Sequence, residues 1–403
     1  MQAILFILII SILVFLIIRK VNLQYVFLLG SFLFIILFKL SILPFFDVFL
    51  KTISNTKTWQ LIGAVLLMLL FNDVLRKTER LQLLISSLRE LIKSVKLIAS
   101  FIPALVGLLP MLGGAMISAP MVKEALDNCD VSKEKKTLIN YWYRHVWEYI
   151  LPLYPGVILA SGLLNINLSK LILYQVPLTL TAIISGFLYL FDLREKKPKI
   201  FSKKSKNVSI LNILIGLLPI LIVIAGVAIF KINIIIVLVI VIISLLIIFK
   251  EYIPKIYKDF DYKKYVSMFA MVFGLMLFKD SFIKSGAVNI LPDYLISTNV
   301  PSFVIVSLIP LSAGLMTGVT HAEIGISFPI IMPFLVTENG INMGCVVLAY
   351  ASGFAGVLLS PVHVCLAITK DYFKADSKKL YRLLIPAVAA LLVCAFVLYF
   401  LYQ

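Results

Sequence analysis

Long apolar stretches dominate the chain, and short basic segments separate them. A helix that crosses the hydrocarbon core of a bilayer needs about 20 mainly apolar residues. This criterion predicts about ten spans, at residues 2–18, 23–44, 58–75, 138–162, 170–190, 209–229, 233–249, 265–279, 342–368 and 381–401. We therefore expect an all-α, polytopic membrane protein.

Two other apolar stretches, residues 97–128 and 301–337, are interrupted near their middles by glycine and proline. This interruption predicts two re-entrant helical hairpins rather than simple crossings. Non-helical backbone at membrane depth is tolerated only where protein or a water-filled cavity covers it. The hairpin tips are therefore candidate binding sites.

Basic residues indicate the orientation, because short cytoplasmic loops carry an excess of Lys and Arg. Segment 76–96 combines basic residues with leucines at helical spacing, which predicts an amphipathic helix on the cytoplasmic surface. Segments 192–206, 250–264 and 370–382 are also basic, whereas 162–169, 230–232 and 285–300 carry almost no charge. If both hairpins return to the face from which they enter, every basic loop lies inside and both termini lie outside.

The two halves of the chain contain versions of one segment. Ser100–Leu109 aligns without a gap with Ser307–Met316, and Phe71–Asp73 falls in the same register on Phe278–Asp280. The first of these triplets leads into a basic inner loop and the second into an uncharged outer loop. The two copies therefore have opposite orientations, which is an arrangement found mostly in transporters.

This duplication predicts the domain organisation. We expect a first inverted repeat at residues 1–191, a basic cytoplasmic linker at 192–208 and a second inverted repeat at 209–403. Each repeat would contain scaffold helices, one hairpin and one broken helix.

Composition narrows the class of protein. Hydrophobic residues make up 61% of the chain and charged residues 14%, which excludes a soluble protein. The net charge of +17 does not indicate nucleic acid binding, because the basic residues lie in short loops. The four cysteines have no C-x-x-C spacing, so neither a disulfide framework nor a thiolate metal site is expected. The first apolar run lacks a basic leader and a cleavage site, and we interpret it as a retained helix.

Candidate substrate-binding residues lie at the hairpin tips. They are Gly113, Gly114 and Ser118 in the first hairpin and Thr317, Gly318 and Thr320 in the second. Glycine lets the backbone approach a ligand, hydroxyls can complete the oxygen shell of an ion, and half-helix N-termini favour anions. The alternative is that these small residues serve close helix packing.

Three ionisable residues are candidates for ion coupling, because such residues are costly inside a membrane and usually functional. His321 and Glu323 lie at the second tip, where Glu323 is expected to carry a proton or to help hold Na⁺. Glu148 is the third candidate. The alternative for His321 and Glu323 is that both face outer water and do nothing.

Asn140–Tyr149 is the other unusual segment, rich in Trp and Tyr. Arg144 is the best candidate to meet an anionic substrate, because its forked guanidinium suits carboxylate or phosphate, and His145 is assigned to the same site. Arg144 and Glu148 are four residues apart and are expected to pair on one helix face. Two alternatives remain: the aromatic residues mark a membrane interface, or Glu148 neutralises Arg144.

Two broken helices are expected beside the hairpins. Pro152 and Pro155 should interrupt the predicted helix 138–162. Its counterpart in the second half, Ala349–Pro361, is likewise small, Gly-rich and broken. Two hairpins and two broken helices would then converge on one site near the middle of the membrane.

The motifs Leu108–Ala115 and Asn140–Glu148 also carry a resemblance. They are similar to those of a family of prokaryotic integral membrane proteins of unknown function, over nearly the whole chain. That family resembles the wider ion transporter superfamily, which includes gluconate, citrate, dicarboxylate and arsenite carriers. The resemblance implies a scaffold domain, a moving transport domain built on two opposed hairpins, a homodimer and elevator-like alternating access.

The chain departs from the sodium–dicarboxylate branch of that superfamily at the hairpin tips. Those carriers have Ser-Asn-Thr there, whereas this chain has Gly113-Gly114 and Thr317–Thr320. The resemblance therefore implies a secondary transporter without naming its substrate, and the coupling ion stays open between H⁺ and Na⁺.

Three classes of function remain at this point. The first is a secondary active transporter in the cell membrane that moves a small anionic solute, with membrane lipid and a second copy of the chain as partners and no cofactor beyond the coupling ion. The second is an intramembrane metal-dependent or acid/base enzyme that uses His145, Glu148, His321 and Glu323. No H-E-x-x-H or nucleophile motif supports this second class. The third is a channel or lipid scramblase, and the lack of a phosphate-binding loop speaks against an ATP-driven pump.

Overall fold

A computed structural model describes residues 2–19, 21–39, 43–78, 87, 94–109, 114–127, 129–191, 193, 206–290, 292–293 and 300–403. The predicted amphipathic helix 76–96, the linker 192–208 and the tip residue Gly113 lie wholly or mostly outside these ranges. The described chain is almost entirely helical, and one short antiparallel pair of strands is the exception.

The helices of the first half are α1 (Gln2–Ile18), α2 (Leu23–Lys39), α3 (Leu43–Ser54), α4 (Thr56–Lys77), α5 (Val95–Gly107), α6 (Ala115–Leu126), α7 (Lys133–His145), α8 (Pro155–Leu164) and α9 (Leu168–Phe187). The predicted span 23–44 is wrong at its end, because a separate amphipathic helix, α3, begins at Leu43. Asp47 and Lys51 place polar groups on α3, so it is a short connecting helix rather than the continuation of a span.

The second half contains α10 (Lys206–Ile224), α11 (Ile234–Ile248), α12 (Ile253–Lys258), α13 (Tyr262–Ser285), α14 (Ser302–Thr317), α15 (Thr320–Leu335), α16 (Met343–Leu359), α17 (Val364–Phe373) and α18 (Ser377–Leu401). A π-helical turn, Ala225–Ile229, extends α10. Strands β1 (Val336–Thr337) and β2 (Gly340–Ile341) form the tight connection between α15 and α16.

Five helical stretches in the described part of the chain are long and apolar enough to cross a membrane: Thr56–Lys77, Leu168–Phe187, Tyr262–Ser285, Met343–Phe373 and Ser377–Leu401. A sixth is possible if α11 and the following Lys250–Lys258, bent by 88°, count as one span. Shorter apolar helices of 10–17 residues surround them. The protein is therefore a multi-pass membrane protein.

The helices of both predicted hairpins are shorter than the hydrocarbon core. Helices α5 and α6 have 13 and 12 residues, and α14 and α15 have 16 each. At about 1.5 Å per residue these helices are roughly 18–24 Å long, against about 30 Å of hydrocarbon. No helix of either pair is therefore long enough to cross by itself. In each pair the two helices pack against each other.

Aromatic packing joins the outer helices of the two halves. Phe34 on α2 packs edge-to-face against Phe282 on α13, with ring centroids 4.9 Å apart. The ring centroids of Phe27 and Phe278 are 5.7 Å apart. Phe6 extends this cluster onto α1. These rings are buried, and such pairs add to packing beyond the apolar area they cover.

Among the helices that form the predicted hairpins and broken helices, α16 is the most deeply buried. In the span that it begins, Met343–Phe373, 83% of the apolar 18-residue window is buried, compared with 39% for the window in α18. Helix α16 packs against α14, α15 and α18, while α7 packs against α5, α6 and α17. The region between these helices is therefore shielded from lipid.

Two close helix crossings have the same form in the two halves. A Cβ at Gly107, the end of α5, would overlap the carbonyl oxygen of Arg144 on α7. A Cβ at Gly314 on α14 would overlap the carbonyl oxygen of Gly353 on α16 in the same way. Gly107 and Gly314 are paired in the internal sequence alignment, so both crossings depend on a glycine at the equivalent position.

Segments predicted to share one side of the membrane do contact each other. Lys264 Nζ donates to Asp73 Oδ2 at 2.8 Å, and Lys77 pairs with Asp259, which links the end of α4 to the start of α13. On the opposite ends of the helices, a cavity of about 300 Å³ is lined by Lys57, by Asn165–Ser169 and by Lys231–Ile235. These contacts are the ones expected if the basic loops lie on one side of the membrane and the loops with almost no charge lie on the other.

The α14–α16 crossing predicts a strong effect of a single methyl group. We expect Gly356→Ala to lower the unfolding free energy by about 1–3 kcal/mol or more, because its Cβ would overlap the carbonyl oxygen of Leu311. Thermal unfolding in detergent measures this effect. Gly63→Ala is the matched control, since the nearest atom to its Cβ would be Ile235 Cδ1 at 3.8 Å. Equal stability of the two variants would show that the crossing is looser than described.

Candidate functional site

The first broken helix ends earlier than the prolines suggest. Helix α7 stops at His145, and the chain makes irregular turns until α8 begins at Pro155. Arg144 and Glu148 therefore do not share a helix face as their spacing suggested, because α7 ends between them. The break leaves both side chains, with His145, among the ends of other helices.

The second broken helix opens over four residues after Leu359. Ser360 ends α16, and His363 is the N-cap of α17. The Ser360 hydroxyl donates to the carbonyl oxygen of Leu315 at 2.7 Å, which holds the break against the end of α14. His363, another of the three histidines, therefore lies after its break, at the start of α17, whereas His145 lies before its break, at the end of α7.

Gly318 forms the tip of the second hairpin and requires glycine. Its φ is +63°, a left-handed conformation that other residues rarely adopt. A Cβ there would also lie 2.9 Å from the backbone nitrogen of His363. His363 Nδ1 donates to the Gly318 carbonyl oxygen at 2.8 Å, so the hairpin tip is bound directly to the second broken helix.

An imidazole pair joins the two broken helices. His145 Nε2 and His363 Nε2 are 3.1 Å apart, and both side chains are buried. Arg144 Nη1 lies 3.4 Å from the same nitrogen of His145. The two residues of the pair are 218 positions apart in the chain, so this cluster forms only when both halves have folded.

Glu148 connects the first break to the second hairpin. Thr320, the first residue of α15, donates a hydrogen bond from its hydroxyl group to Glu148 Oε2 at 2.9 Å. Tyr350 on α16 donates to the Glu148 backbone oxygen at 2.8 Å, and His145 Nε2 lies 3.8 Å from Oε1. Glu148 is 6% exposed, so these polar neighbours replace water around its carboxylate.

Four helix N-termini face this cluster. Helices α6, α8, α15 and α17 begin at the hairpin tips and breaks, and none of their N-cap residues (Gly114, Tyr154, Val319 and His363) caps its helix with a side-chain hydrogen bond. A Cβ at Gly156, the second residue of α8, would lie 2.8 Å from Thr320 Cγ2 at the start of α15. Such N-termini carry unsatisfied N–H groups and positive potential, which favour an anion.

Two buried ionisable side chains each lie over a glycine, and the hairpin and the broken helix exchange roles between the two halves. The Arg144 guanidinium, on the first broken helix, covers Gly114 of the first hairpin, where a Cβ would lie 2.6 Å from Nη2. The Glu323 carboxylate, on the second hairpin, covers Gly353 of the second broken helix, where a Cβ would overlap it. The basic group thus comes from the broken helix in one half, and the acidic group comes from the hairpin in the other.

Glu323 is fully buried, so the alternative that it faces outer water is wrong. Its Oε1 accepts a hydrogen bond from Ser327 at 2.7 Å, while Oε2 has no hydrogen-bond partner in the described part of the chain. An ionised carboxylate with an unsatisfied oxygen in a dry interior is strongly unfavourable. The geometry therefore favours a proton or a cation on this group.

Several sequence candidates lie apart from the cluster. Thr317 donates to Ala313 O at 2.8 Å, and Ser118 makes only a long 3.5 Å contact with Ala115 O, so both bond to their own helices. His321 is partly exposed. Among the described residues, no hydrogen bond or ion pair joins His321 or Glu323 to His145 or Glu148. The four-residue enzyme site is therefore not assembled as one group.

Sequence reasoning missed three residues of the site. His363 and Cys365 lie beside His145, and the three ligand-type atoms are within 4.8 Å of one another. Tyr350 reaches Glu148 from α16. A usable signal was present, because His363 follows Ser360-Pro361 in the segment already recognised as a broken helix, and the chain has three histidines in all.

The hydrogen bond between Thr320 and Glu148 allows a stability prediction. We expect Thr320→Val to lower the unfolding free energy by about 1–2 kcal/mol, because a buried carboxylate oxygen loses its donor. Thr317→Val is the control, since its hydroxyl bonds to nearby backbone groups of Ala313 and Val319 rather than to a buried carboxylate. Thermal unfolding of both proteins, with Thr320→Ser as the conservative rescue, measures the difference. A Thr320→Val protein as stable as Thr317→Val would argue against the bond.

Buried polar groups at the meeting point of short and broken helices, inside a shell of apolar helices, characterise this multi-pass membrane protein. The fold is similar to the crystal structure of the Alcanivorax borkumensis YdaH transporter, whose topology is described as unusual. The TM-score is 0.64 at 14% sequence identity, covering 94% of this chain and 98% of that one. No curated protein matches the chain. Residues 1–401 match the family described as protein of unknown function (DUF401), and the chain belongs to that family.

Proposed function

We propose that this protein is a secondary active transporter of the cell membrane that moves a small anionic solute, coupled to H⁺ or Na⁺. The observation that carries the proposal is a buried arginine at the N-terminus of α6, with the uncapped N-termini of α8, α15 and α17 around the same buried cluster. The likeness to a transporter fold supports the same class.

The anion is recognised by Arg144 together with these N-termini. Arg144 is 3% exposed and lies on the backbone of Gly114, where the first hairpin turns into α6. A guanidinium offers a planar set of donors that suits carboxylate or phosphate. The uncapped N–H groups of α8 and α15 would complete the anion's hydrogen bonds, as half-helix N-termini do in other carriers.

Glu323 is the coupling group in this proposal. Its Oε2 lacks a hydrogen-bond partner among the described residues, and the backbone of Gly353 closes over the carboxylate. A proton or Na⁺ at this position would neutralise the charge. Binding of that ion would therefore stabilise the packed arrangement of α15 on α16, which links ion occupancy to the conformation of the hairpin.

The proposed transport movement is elevator-like alternating access in a homodimer, with residues 1–191 and 209–403 as inverted repeats. The two alike crossings at Gly107 and Gly314 support the duplication. The aromatic cluster of α1, α2 and α13 would belong to the scaffold. The hairpins with the broken helices would form the moving part.

Substrate binding tests the proposal before any transport assay. Purified protein in detergent is screened by thermal unfolding against small mono-, di- and tricarboxylates, inorganic phosphate and other small oxyanions. Compounds that stabilise the protein are then tested for uptake into proteoliposomes, with protein-free liposomes as the control. We expect one chemical class to raise the unfolding temperature and to accumulate. Stabilisation by none of them, together with no uptake, would contradict an anion carrier.

A further inference from the structure

The tautomers of the two facing histidines follow from their hydrogen bonds. His145 Nδ1 is 2.6 Å from the carbonyl oxygen of Tyr141, and His363 Nδ1 is 2.8 Å from that of Gly318. A carbonyl oxygen only accepts, so each Nδ1 must carry the proton and donate. In the neutral imidazoles both Nε2 atoms then have lone pairs and no proton.

The two Nε2 atoms nevertheless face each other at 3.1 Å. Two lone pairs at this distance in a buried setting repel each other unless one ring gains a proton and donates it to the other, or a metal cation lies between them. The separation is close to the roughly 3.3 Å expected between two nitrogen ligands of one tetrahedral ion with bonds of about 2.0 Å. The pair is therefore arranged as two metal ligands are.

A thiol supplies a third ligand at the same place. Cys365, in the first turn of α17, has its sulfur within 4.8 Å of a ring nitrogen of His145 and of a ring nitrogen of His363. All three side chains are buried. A small side-chain movement would bring the sulfur to a bonding distance of about 2.3 Å from an ion held by the histidines.

We propose that His145, His363 and Cys365 form a binding site for a zinc-type divalent cation. Two imidazoles and a thiolate are ligands that Zn²⁺ prefers, and three protein ligands leave a fourth position open. The backbone carbonyls of Tyr141 and Gly318 orient the imidazoles from behind, as outer partners of metal-bound histidines commonly do. This site departs from the expectation based on cysteine spacing, because its ligands come from both halves of the chain.

The charges around the site are mixed. The Glu148 carboxylate, 3.8 Å from His145 Nε2, and the Cys365 thiolate each contribute a negative charge. Arg144, 3.4 Å from the same nitrogen, opposes a cation. A bound ion would join α7 to α17 and thus one broken helix to the other, a role separate from the anion at Arg144 and from the coupling ion at Glu323.

Metal titration of the full chain in detergent tests this inference. Chelator-treated protein is titrated with Zn²⁺ and, in parallel, with Co²⁺, whose absorption reports tetrahedral geometry and thiolate ligation. We expect one ion per chain and a sulfur-to-cobalt charge-transfer band. Cys365→Ser should lose that band, and His363→Ala should weaken Zn²⁺ binding by more than about 100-fold, the upper range for loss of a mere outer-shell partner.

Matched controls come from the same chain. Cys394→Ser and His321→Ala alter a cysteine and a histidine outside the cluster, and both should bind as the unaltered protein does. Wild-type protein that binds Co²⁺ without the charge-transfer band, or that takes up less than one Zn²⁺ per chain at saturating zinc, would overturn the site. This outcome needs no folded variant. Because the measurement uses no transported solute, it is also independent of the proposed transport function.

Discussion

We expect replacement of Arg144 with glutamine to reduce uptake of the proposed anionic substrate by about 30-fold or more. Loss of one partner from a buried, hydrogen-bonded charge pair costs about 2–5 kcal/mol, and each 1.4 kcal/mol is about a factor of ten. Arg144 is 3% exposed and lies against the start of α6, so water does not replace its charge there. Initial uptake rates in proteoliposomes measure the effect.

The control for this variant is Arg382→Gln, which removes an exposed arginine from the first turns of α18. It should transport like the unaltered protein. Arg144→Lys keeps the charge but loses the planar fork, and we expect intermediate uptake. Full uptake by an Arg144→Gln protein that is monodisperse and unfolds at the normal temperature would remove this residue from the substrate site.

We expect replacement of Glu323 with glutamine to abolish accumulation of the proposed anionic substrate against its gradient while substrate binding persists. Glutamine is close in shape to glutamic acid and keeps a bond to Ser327 possible, but it cannot take up a proton or hold Na⁺ by charge. The buried oxygen without a partner is where the coupling ion is proposed to bind. Substrate-induced thermal stabilisation and gradient-driven accumulation are measured on the same preparation.

Glu338→Gln is the comparison for the second variant, because this glutamate is exposed beside the short strands at the end of α15. It should accumulate substrate normally. If Glu323→Gln accumulates the anion as well as Glu338→Gln does, Glu323 has no part in coupling. If Glu323→Gln loses binding too, its role is in the substrate site rather than in coupling.

Apolar length and breaking residues predicted most of the helices. Spans such as 58–75, 170–190 and 381–401 correspond to α4, α9 and α18 within a few residues. The interruption of 301–337 by Gly318 corresponds to the turn between α14 and α15, where the backbone has a positive φ. These features depend on local sequence, since hydropathy and glycine conformation act within one segment.

Features that depend on contacts between distant segments were not predictable. The end of α7 at His145 precedes the prolines that suggested a break, because the following turns are held by Thr320 and Tyr350 from the other half. The separate helix α3 was missed because residues 23–44 are apolar throughout most of their length. The contact of His145 with His363 spans 218 positions, and no periodicity in one segment reports such a pair.

The candidate site was therefore predicted in part. Arg144, His145, Glu148, Gly318 and Thr320 were chosen because they interrupt apolar sequence with polar or flexible groups, and the fold brings them together around one buried cluster. Their partners on α16 and α17 come from tertiary packing. The inverted repeat and the orientation of the chain stay predictions.

Charge movement in proteoliposomes tests the central claim of a coupled anion carrier most directly. Stabilising anions are added under separate H⁺ and Na⁺ gradients, and current and accumulation are recorded for the unaltered protein and for Glu323→Gln. We expect substrate-dependent current and accumulation that follow one of the two gradients and disappear in the variant. Flux that ignores both gradients and persists in Glu323→Gln would contradict the account and indicate a channel.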